Sequence, residues 1–361
     1  MKSLNANVRD ADLSSTDKHI FPWKWNLSDL KSIPKNGRTV FTCFSCGGGS
    51  SMGYKLAGYT VLGNCEIDPK MMEVYKTNHH PKYSYLMDIR DFVKLPDSEI
   101  PDELKHLDIL DGSPPCSVFS TAGSREDGWN TEKVFREGQA AQRLDDLFFY
   151  FIEAARKLQP KVIVAENVKG LLLGNAKGYV NEIIKAFDLA GYKVQIFLLN
   201  ASRMGVPQKR ERVFFIAHRK DLDYPKIKME FNEKPILFGE VRSEKGKQFQ
   251  KNGVYSELIK YRKKTDKSIA DITKRIRGKE SGYNNTIWHD DDVGYTVVSS
   301  GCHFRMCDGL WLSDDDYKNC QTFPQDYNFL DQSVQYICGM SVPPVMMAQV
   351  ARQIERQWFN D

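Results

Sequence analysis

The sequence predicts an α/β fold built around a mainly parallel sheet. Apolar runs of four to seven residues, the length of buried strands, recur between positions 39 and 217. The first run passes directly into a glycine turn and then into a helical stretch, an arrangement that can present backbone N–H groups to a ligand. Acidic residues or a thiol follow several later runs, and open α/β sheets bind ligands at the carboxyl ends of their strands. A chain of 361 residues suits one large domain and a smaller one.

The glycine turn follows the first predicted strand, Thr39–Phe44. Gly47, Gly48 and Gly49 allow the backbone to approach a ligand closely. The dinucleotide fingerprint G-x-G-x-x-G is absent, because Met52 stands where its third glycine would be. The turn therefore favours a ligand without a pyrophosphate. An NAD-dependent oxidoreductase, the alternative from another reaction class, is disfavoured by this spacing.

Acidic residues follow the next two predicted strands. Thr60–Cys65 leads into Glu66, at the position where nucleoside-binding sheets hold ribose hydroxyls. Tyr83–Met87 leads into Asp88, whose carboxylate can accept a hydrogen bond from an adenine amine. A single acid at a strand end is ordinarily a helix cap, but two acids and a glycine turn after three successive strands indicate a nucleoside site. The residues that would form its apolar walls are Ile67 and Ile89.

A thiol stands directly after the fourth predicted strand, Leu107–Leu110. Pro114 and Pro115 end the strand because proline cannot donate to a ladder, and Cys116 follows at once. This turn places a candidate nucleophile at the ligand-binding edge, although a buried, unreactive cysteine is the alternative interpretation. A thiol hydrolase would need a partner histidine, and none of the seven histidines stands in a recognisable partner motif.

The rest of the predicted sheet brings further polar groups to the same edge. The remaining strands of the sheet are predicted over Lys161–Ala165, Lys193–Leu199 and Val213–Ala217. Outside the sheet, the sequence predicts helices over Leu144–Leu158 and Val345–Ile354 and a strand around Tyr295–Val298. Glu166 follows the strand Lys161–Ala165, beside the cysteine turn, and is a candidate proton donor. Strand alternation places Gln208, Arg210 and Arg212 on one face.

Charge is distributed unevenly along the chain. The whole sequence carries a net charge of +4, yet Arg219 to Lys279 holds 18 Lys and Arg against 9 Asp and Glu. A basic segment on an otherwise slightly acidic enzyme suits a polyanion such as nucleic acid. The sequence contains no apolar run of 18 residues and no signal peptide, which predicts a cytoplasmic protein with reduced cysteines. Cys43 and Cys46 lack the second ligand pair of a zinc site, so no metal is predicted.

Taken together, these residues resemble the DNA (cytosine-5) methyltransferase family of the prokaryotic and phage type, over nearly the whole chain from about Thr39. The family's motifs appear in order as Phe44-Ser45-Cys46-Gly47-Gly48-Gly49, Pro115-Cys116, Glu166-Asn167-Val168, Gln208-x-Arg210-x-Arg212 and Gly339-Met340-Ser341-Val342. The resemblance implies a Rossmann-like, S-adenosylmethionine-dependent methyltransferase sheet and a smaller, mostly irregular or β target-recognition domain.

The resemblance also implies roles for individual residues. Cys116 would attack C6 of a flipped-out cytosine and so activate C5 for methylation. Glu166 would act at N3, and Arg212, with Arg210 beside it, would hold the base's carbonyl and a phosphate. The residues expected to bind the cofactor are Phe44, Ser45, Gly47, Gly48, Gly49, Glu66, Ile67, Asp88, Ile89, Pro115, Leu144, Ser341 and Val342. Those expected to bind the substrate are Ser120, Asn167 and Gln208.

The expected organisation follows the same family. A lead-in over residues 1–37 precedes a catalytic domain over 38–218, a target-recognition domain over 219–312 and a segment, 313–361, that returns to the catalytic domain. The expected partner is double-stranded DNA, with a restriction endonuclease acting separately, and the enzyme is expected to be a monomer. The RNA-methylating branch of the family uses the same cysteine and stays open as the alternative.

The sequence departs from the family pattern in four places, three single residues and one three-residue segment. Cys46 and Met340 replace the usual glycine and asparagine, and Ser117 replaces the common glutamine after the nucleophile. The segment Asp314–Asp316 stands where arginines are expected before Phe323. None of these changes removes a group that the chemistry requires.

Overall fold

The structure, a computed structural model, describes residues 19–115, 146–173, 177–249, 253–279 and 285–359. The strands of its central sheet are β1 (Thr39–Cys43), β2 (Thr60–Glu66), β3 (Tyr83–Leu86), β4 (Ile109–Gly112), β5 (Val162–Val168), β6 (Tyr192–Asn200) and β7 (Glu211–Arg219). They lie in the order β3-β2-β1-β4-β5-β7-β6. The first five are parallel, and β7 is antiparallel to β5 and β6. The α/β class is confirmed, and each predicted strand of the sheet is present.

Helices cover both faces of this sheet, and further helices lie outside it. In chain order the helices are α1 (Gly49–Leu56), α2 (Pro69–His79), α3 (Ile89–Phe92), α4 (Leu147–Leu158), α5 (Lys177–Leu189), α6 (Phe238–Val241), α7 (Val254–Leu258), α8 (Ile269–Arg277), α9 (Asp314–Cys320), α10 (Val334–Met340) and α11 (Pro344–Ile354). Among those outside the sheet are α7 and α8, whose buried residues form a separate hydrophobic cluster. Successive strand residues pack on opposite faces, so Val40 belongs to the core with α1 and α11 while Phe41 belongs to the core with α3 and α4. Burial on both faces explains why the strands are continuous apolar runs.

Strand β5 is longer than the sequence predicted. The prediction ended it at Ala165, where its pairing with β4 also ends. Its antiparallel ladder with β7 continues to the pair Val168–Arg212. Glu166 therefore lies within the strand, and the register places it diagonally across from Arg212 on the same face of the sheet.

The C-terminal helix returns to the sheet domain. Helix α11 packs against α1 so closely that a Cβ on Gly53 would lie 2.5 Å from Cβ of Met347. The N-terminal lead-in packs on the same side, where the indole of the buried Trp25 donates to the carbonyl of Thr322 at 2.9 Å. These contacts join the segments around Trp25 and Met347 to the face of the sheet that carries the glycine turn.

The region from 219 to 312 differs from the prediction in two ways. The strand predicted around Tyr295–Val298 does not form; Val297 instead donates its N–H to the Gln208 side chain, and its carbonyl accepts from Arg210. Side chains thus satisfy the backbone groups that a neighbouring strand would have paired. The region is also more helical than predicted, since it contains α6, α7 and α8 besides the short pair β8 (Ile287–Trp288) and β9 (Phe304–Arg305).

Helix α8 has clear local signals that the prediction missed. Ser268 caps it by accepting from the N–H of Asp271, whose carboxylate accepts in return from the N–H of Ser268. Gly278 ends it with φ near +64°, as glycine at that position commonly does. Within the described ranges, no helix has the length and apolar character needed to cross a membrane.

Candidate active site

A pocket opens at the carboxyl ends of β1 to β4, as the sequence predicted from polar residues at strand ends. Its volume, including the solvent in its open mouth, is about 790 Å³, and its lining combines acids with apolar side chains, as a nucleoside ligand requires. We call it the main pocket. The predicted cofactor residues that line it are Phe44, Glu66, Ile67, Asp88, Ile89 and Pro115.

The two acids of the main pocket are held by the backbone. Glu66 accepts three N–H groups, from Cys46 at 2.8 Å, Ile67 at 2.9 Å and Asp68 at 3.0 Å. Burial raises the pKa of the Glu66 carboxyl, and these backbone donors oppose the rise. Asp88 caps helix α3 by accepting from the N–H of Arg90 at 2.8 Å. Both carboxyls therefore face the pocket from fixed positions.

Asp88 also belongs to a short ion-pair chain. The Arg90 guanidinium lies 3.0 Å from Asp88 and, through its other terminal nitrogen, 3.0 Å from Asp146. Asp146 directly precedes helix α4, so this chain connects the third strand end to α4. The Asp88 carboxylate is therefore oriented both by the helix cap and by this ion pair.

A smaller cavity, which we call the inner pocket, adjoins the main pocket beneath the glycine turn. It shares Phe44, Cys46, Ser113 and Met340 with the main pocket. The predicted cofactor residues that line only this cavity are Ser45, Gly49, Ser341 and Val342. The glycine turn and the last motif thus meet here, although they are nearly 300 positions apart in the sequence.

Gly47 and Gly48 do not line either pocket but make the turn possible. The Gly47 carbonyl accepts from the Tyr327 hydroxyl and lies 3.3 Å from Nε2 of the buried His79. Gly48 has φ near +77°, and a Cβ there would lie 2.1 Å from the same histidine nitrogen. The structure places these two glycines against the protein core, so their contribution to a ligand site is through the turn's shape.

Gly48→Ala is expected to lower the free energy of unfolding by about 2–4 kcal/mol, since it combines a left-handed backbone cost with a steric clash. Gly191→Ala is the matched control, because Gly191 has φ near +92° and nothing within 4 Å of its Cβ position. The control substitution should lower the free energy of unfolding only by the backbone cost of about 1–2 kcal/mol. Urea unfolding of both variants measures the difference, and equal losses would contradict the assigned clash.

Glu166 and Arg212, both predicted to be catalytic, form an ion pair. Nε of Arg212 lies 3.0 Å from Oε1 of Glu166, and both side chains are largely buried. Burial lowers the pKa of the Arg212 guanidinium, and the Glu166 charge opposes this shift. Nη1 of Arg212 also donates to the carbonyl of Glu211 at 2.8 Å. The arginine is therefore anchored on its own strand and fixes the orientation of the carboxyl.

Asn167 connects this ion pair to the proline turn. Its side-chain amide donates to the carbonyl of Pro114 at 3.0 Å, and its Oδ1 accepts from the N–H of Val168. The prediction gave Asn167 a contact with the substrate; the structure shows it bracing the turn that precedes position 116. The predicted residues Cys116, Ser120 and Leu144 lie outside the described residues.

Gln208 and Arg210 are not placed as the sequence interpretation expected. Both are fully buried, with 0% and 2% exposure, which leaves no surface for a base or a phosphate. Arg210 donates to the carbonyls of Val297, Gly339 and Ser341 at 2.9–3.0 Å. These two side chains instead join the beginning of β7 to the last motif and to the region after 219.

Several pocket residues carried no functional signal in the sequence. Tyr336, Met71 and Met87 line the main pocket, but their positions depend on how α10, α2 and the end of β3 pack. Cys46 and Met340 were noted only as departures from a family pattern, and both line the two pockets. Burial raises the pKa of the Cys46 thiol to about 12. Among the described residues, no cluster of three or more His, Cys, Asp or Glu could hold a metal ion.

Comparisons with known proteins show the family of this chain. A family model described as C-5 cytosine-specific DNA methylase matches residues 39–356. Type II methyltransferase M.FnuDI of Fusobacterium nucleatum is 35% identical over 278 residues, which cover 74% of this chain and 72% of that protein. Type II methyltransferase M.NgoPII of Neisseria gonorrhoeae is 27% identical over 358 residues, 89% of this chain and 96% of that protein.

A solved structure shares the fold. It is a crystal structure described as a DNA modification methyltransferase encoded within an E. coli prophage, with a TM-score of 0.65 and 19% identity, covering 90% of this chain and all of that one. The family match extends from β1 through α11 and so includes both pockets and the Glu166–Arg212 pair. The chain therefore belongs to the C-5 cytosine-specific DNA methylases, of the prokaryotic and phage type.

Proposed function

We propose that this enzyme transfers the methyl group of S-adenosylmethionine to C5 of a flipped-out cytosine in a specific duplex DNA sequence, through a covalent bond between Cys116 and C6. The observation that carries the proposal is the buried Glu166–Arg212 pair, which stands beside the proline turn leading to position 116 and next to the main pocket. Membership of a methyltransferase family supports it.

The donor set of the main pocket fits the cofactor of such an enzyme. Carboxylates accept hydrogen bonds, so Glu66 suits ribose hydroxyls and Asp88 suits the exocyclic amine of adenine. Apolar side chains such as Phe44 and Ile89 provide surfaces for the purine ring. When bound, S-adenosylmethionine supplies an electrophilic methyl group on a sulfonium. The chain's own residues must then make C5 of cytosine nucleophilic.

Covalent catalysis by Cys116 would achieve this activation. Its thiolate adds to C6, and the electron pair of the C5–C6 double bond becomes available at C5. Glu166 hydrogen-bonds or protonates N3 and so stabilises the charge that develops in the ring. After methylation, loss of the C5 proton restores the double bond and expels the thiolate. Arg212 holds the Glu166 carboxyl in place through its 3.0 Å contact and is a positioning residue in this scheme.

The nucleic-acid partner follows from the basic region. Residues 219–279 carry twice as many Lys and Arg as Asp and Glu. Helix α8 carries Lys274 and Arg277 in its last turn, while Arg275 in the same turn pairs with Asp266. Such groups suit contacts with phosphates, while base contacts would supply the sequence specificity. In this proposal residues 219–312 recognise the target, the enzyme acts as a monomer, and any restriction endonuclease acts separately.

Transfer of labelled methyl groups tests the proposal. Wild-type protein is incubated with labelled S-adenosylmethionine and either mixed-sequence duplex DNA or tRNA, and the products are digested to nucleosides. Label in 5-methylcytosine from DNA is the expected result. DNA of the same sequence, synthesised with 5-methylcytosine throughout, is the control and should accept none. Label on tRNA alone would assign the enzyme to the RNA branch, and label on neither would overturn the proposed reaction.

A further inference from the structure

A buried carboxylate lies at the bottom of the inner pocket and takes no part in the scheme above. Asp111 is 1% exposed, on β4, directly beside Thr42 of β1 in the parallel register. It lines the inner pocket together with hydroxyl groups of Ser45, Ser50 and Ser341. The wall of this small cavity therefore combines one acid and several hydroxyls with apolar and sulfur-bearing side chains such as Phe44, Cys46 and Met340.

The partners of Asp111 are themselves neutral. Thr42 Oγ1 donates to Oδ2 at 3.0 Å, and the Tyr54 hydroxyl donates to Oδ1 at 3.2 Å. Burial raises the pKa of Asp111 to about 7, and the groups that oppose this rise are the hydroxyls of Thr42, Tyr54 and Ser50. Other titratable groups close to Asp111 are Glu166, Cys43 and Tyr75; the Glu166 charge raises the pKa of Asp111 further. Among the residues that the structure describes, no cation pairs with Asp111, although a buried carboxylate ordinarily needs one.

A second polar group in the same cavity is also incompletely satisfied. The Ser341 hydroxyl is buried and has no nitrogen or oxygen hydrogen-bond partner within the described ranges. The N-terminus of helix α1 reaches the same cavity through Gly49 and Ser50, where the first N–H groups of a helix lack intrahelical partners. The inner pocket thus offers acceptors for a cation and donors for an anion within one small space, as a zwitterion requires.

We propose that Asp111 receives the α-ammonium group of S-adenosylmethionine and so holds the amino acid end of the cofactor in the inner pocket. This inference rests on the proposed function, which places the nucleoside of the cofactor in the adjoining main pocket. The two pockets share Phe44, Cys46 and Met340 along their boundary, so one elongated ligand spans both. Asp111 is a positioning residue, because it fixes the reactive sulfonium relative to the cytosine without touching the methyl group.

Asp111→Asn tests this assignment, since it removes the charge and retains the size. S-adenosylhomocysteine carries the amino acid end, whereas 5′-methylthioadenosine has the same nucleoside and a thioether but no amino acid. We expect the variant to bind S-adenosylhomocysteine about 10- to 100-fold more weakly, as loss of a charge-assisted hydrogen bond implies, and to bind 5′-methylthioadenosine with unchanged affinity. Isothermal titration calorimetry measures both dissociation constants.

The pH dependence provides a second readout. The pKa of Asp111 in the free folded protein, about 7, lies above the ordinary value, so this group destabilises the free protein progressively as pH rises from about 4 to 7. The melting temperature of the free Asp111→Asn variant minus that of the free wild type should therefore be larger at pH 8 than at pH 5. Wild-type affinity for S-adenosylhomocysteine should rise between pH 5.5 and 7.5, and the variant's should rise less.

Asp108→Asn is the matched control. Asp108 is another buried acid next to β4, but it pairs with Lys161 at 2.8 Å and lines neither pocket. This control should lose stability and keep both affinities. Equal weakening of both ligands by Asp111→Asn, or unchanged binding of S-adenosylhomocysteine, would overturn the assignment. If the wild type binds neither ligand, the proposed cofactor itself fails.

Discussion

Replacing Cys116 with alanine is expected to abolish methyl transfer to DNA while S-adenosylhomocysteine still binds with wild-type affinity. Without the thiolate, cytosine C5 stays weakly nucleophilic, because no addition at C6 disrupts the aromatic ring. The main-pocket residues proposed to bind the cofactor, such as Glu66 and Asp88, are held by backbone and Arg90 contacts that do not involve this side chain. Loss of transfer without loss of cofactor binding would therefore separate chemistry from folding.

Covalent trapping makes the result specific for the proposed intermediate. Duplex DNA carrying 5-fluorocytosine at the mapped target has no proton to lose from C5, so elimination cannot release the enzyme. Wild-type protein should form a denaturation-resistant adduct with this DNA, and Cys116→Ala should form none. Cys307→Ala is the matched control, since Cys307 is an exposed cysteine outside both pockets, and it should behave as wild type. An adduct formed by Cys116→Ala would contradict the assignment of the nucleophile.

The residues that line the main pocket at the strand ends could be predicted because their signals are local. Glu66 and Asp88 each follow a short apolar run, and the end of a parallel strand determines where the next side chains lie. The same logic found Glu166, although the strand continues past it. The reason it continues is the antiparallel ladder with β7, which pairs residues almost 50 positions apart and leaves no mark within the strand itself.

The positions of Gln208 and Arg210 could not be inferred in this way. Both residues precede β7, which begins at Glu211, so the strand alternation that the sequence predicted for them does not apply. The segment around Val297 and the motif at Gly339 cover them, and both are supplied by distant parts of the chain. A buried arginine that bonds backbone carbonyls and an arginine that faces a ligand therefore look alike in sequence.

The inner pocket illustrates the same limit. Asp111 lies within the buried strand β4, and a single acid inside an otherwise apolar run does not by itself indicate a binding site. Its position becomes informative only when β1 places Thr42 beside it and the glycine turn and Ser341 close the cavity. Three segments that are distant in the sequence thus form the inner pocket, and no single one of them carries a sequence motif that predicts it.

Glu166→Gln is expected to lower kcat by about 10²- to 10⁴-fold, the range typical for loss of a general acid–base group. Glutamine keeps the size of the side chain and can still accept from Nε of Arg212, so the strand register should persist. It cannot deliver a proton to N3, and its amide donates a weaker hydrogen bond than a carboxylic acid does. Methyl transfer under single-turnover conditions measures the chemical step directly.

Glu211→Gln provides the control for this substitution. Glu211 lies next to Arg212, carries the same side chain and pairs with Lys169 at 2.8 Å, but it is partly exposed and lines neither pocket. Its variant should keep kcat within about twofold, because exposed ion pairs contribute little. If Glu166→Gln also kept most of its activity, the carboxyl would serve only to neutralise Arg212. If it lost activity together with S-adenosylhomocysteine binding and thermal stability, the pair would be structural. A selective loss of kcat is the outcome that assigns Glu166 to the chemistry.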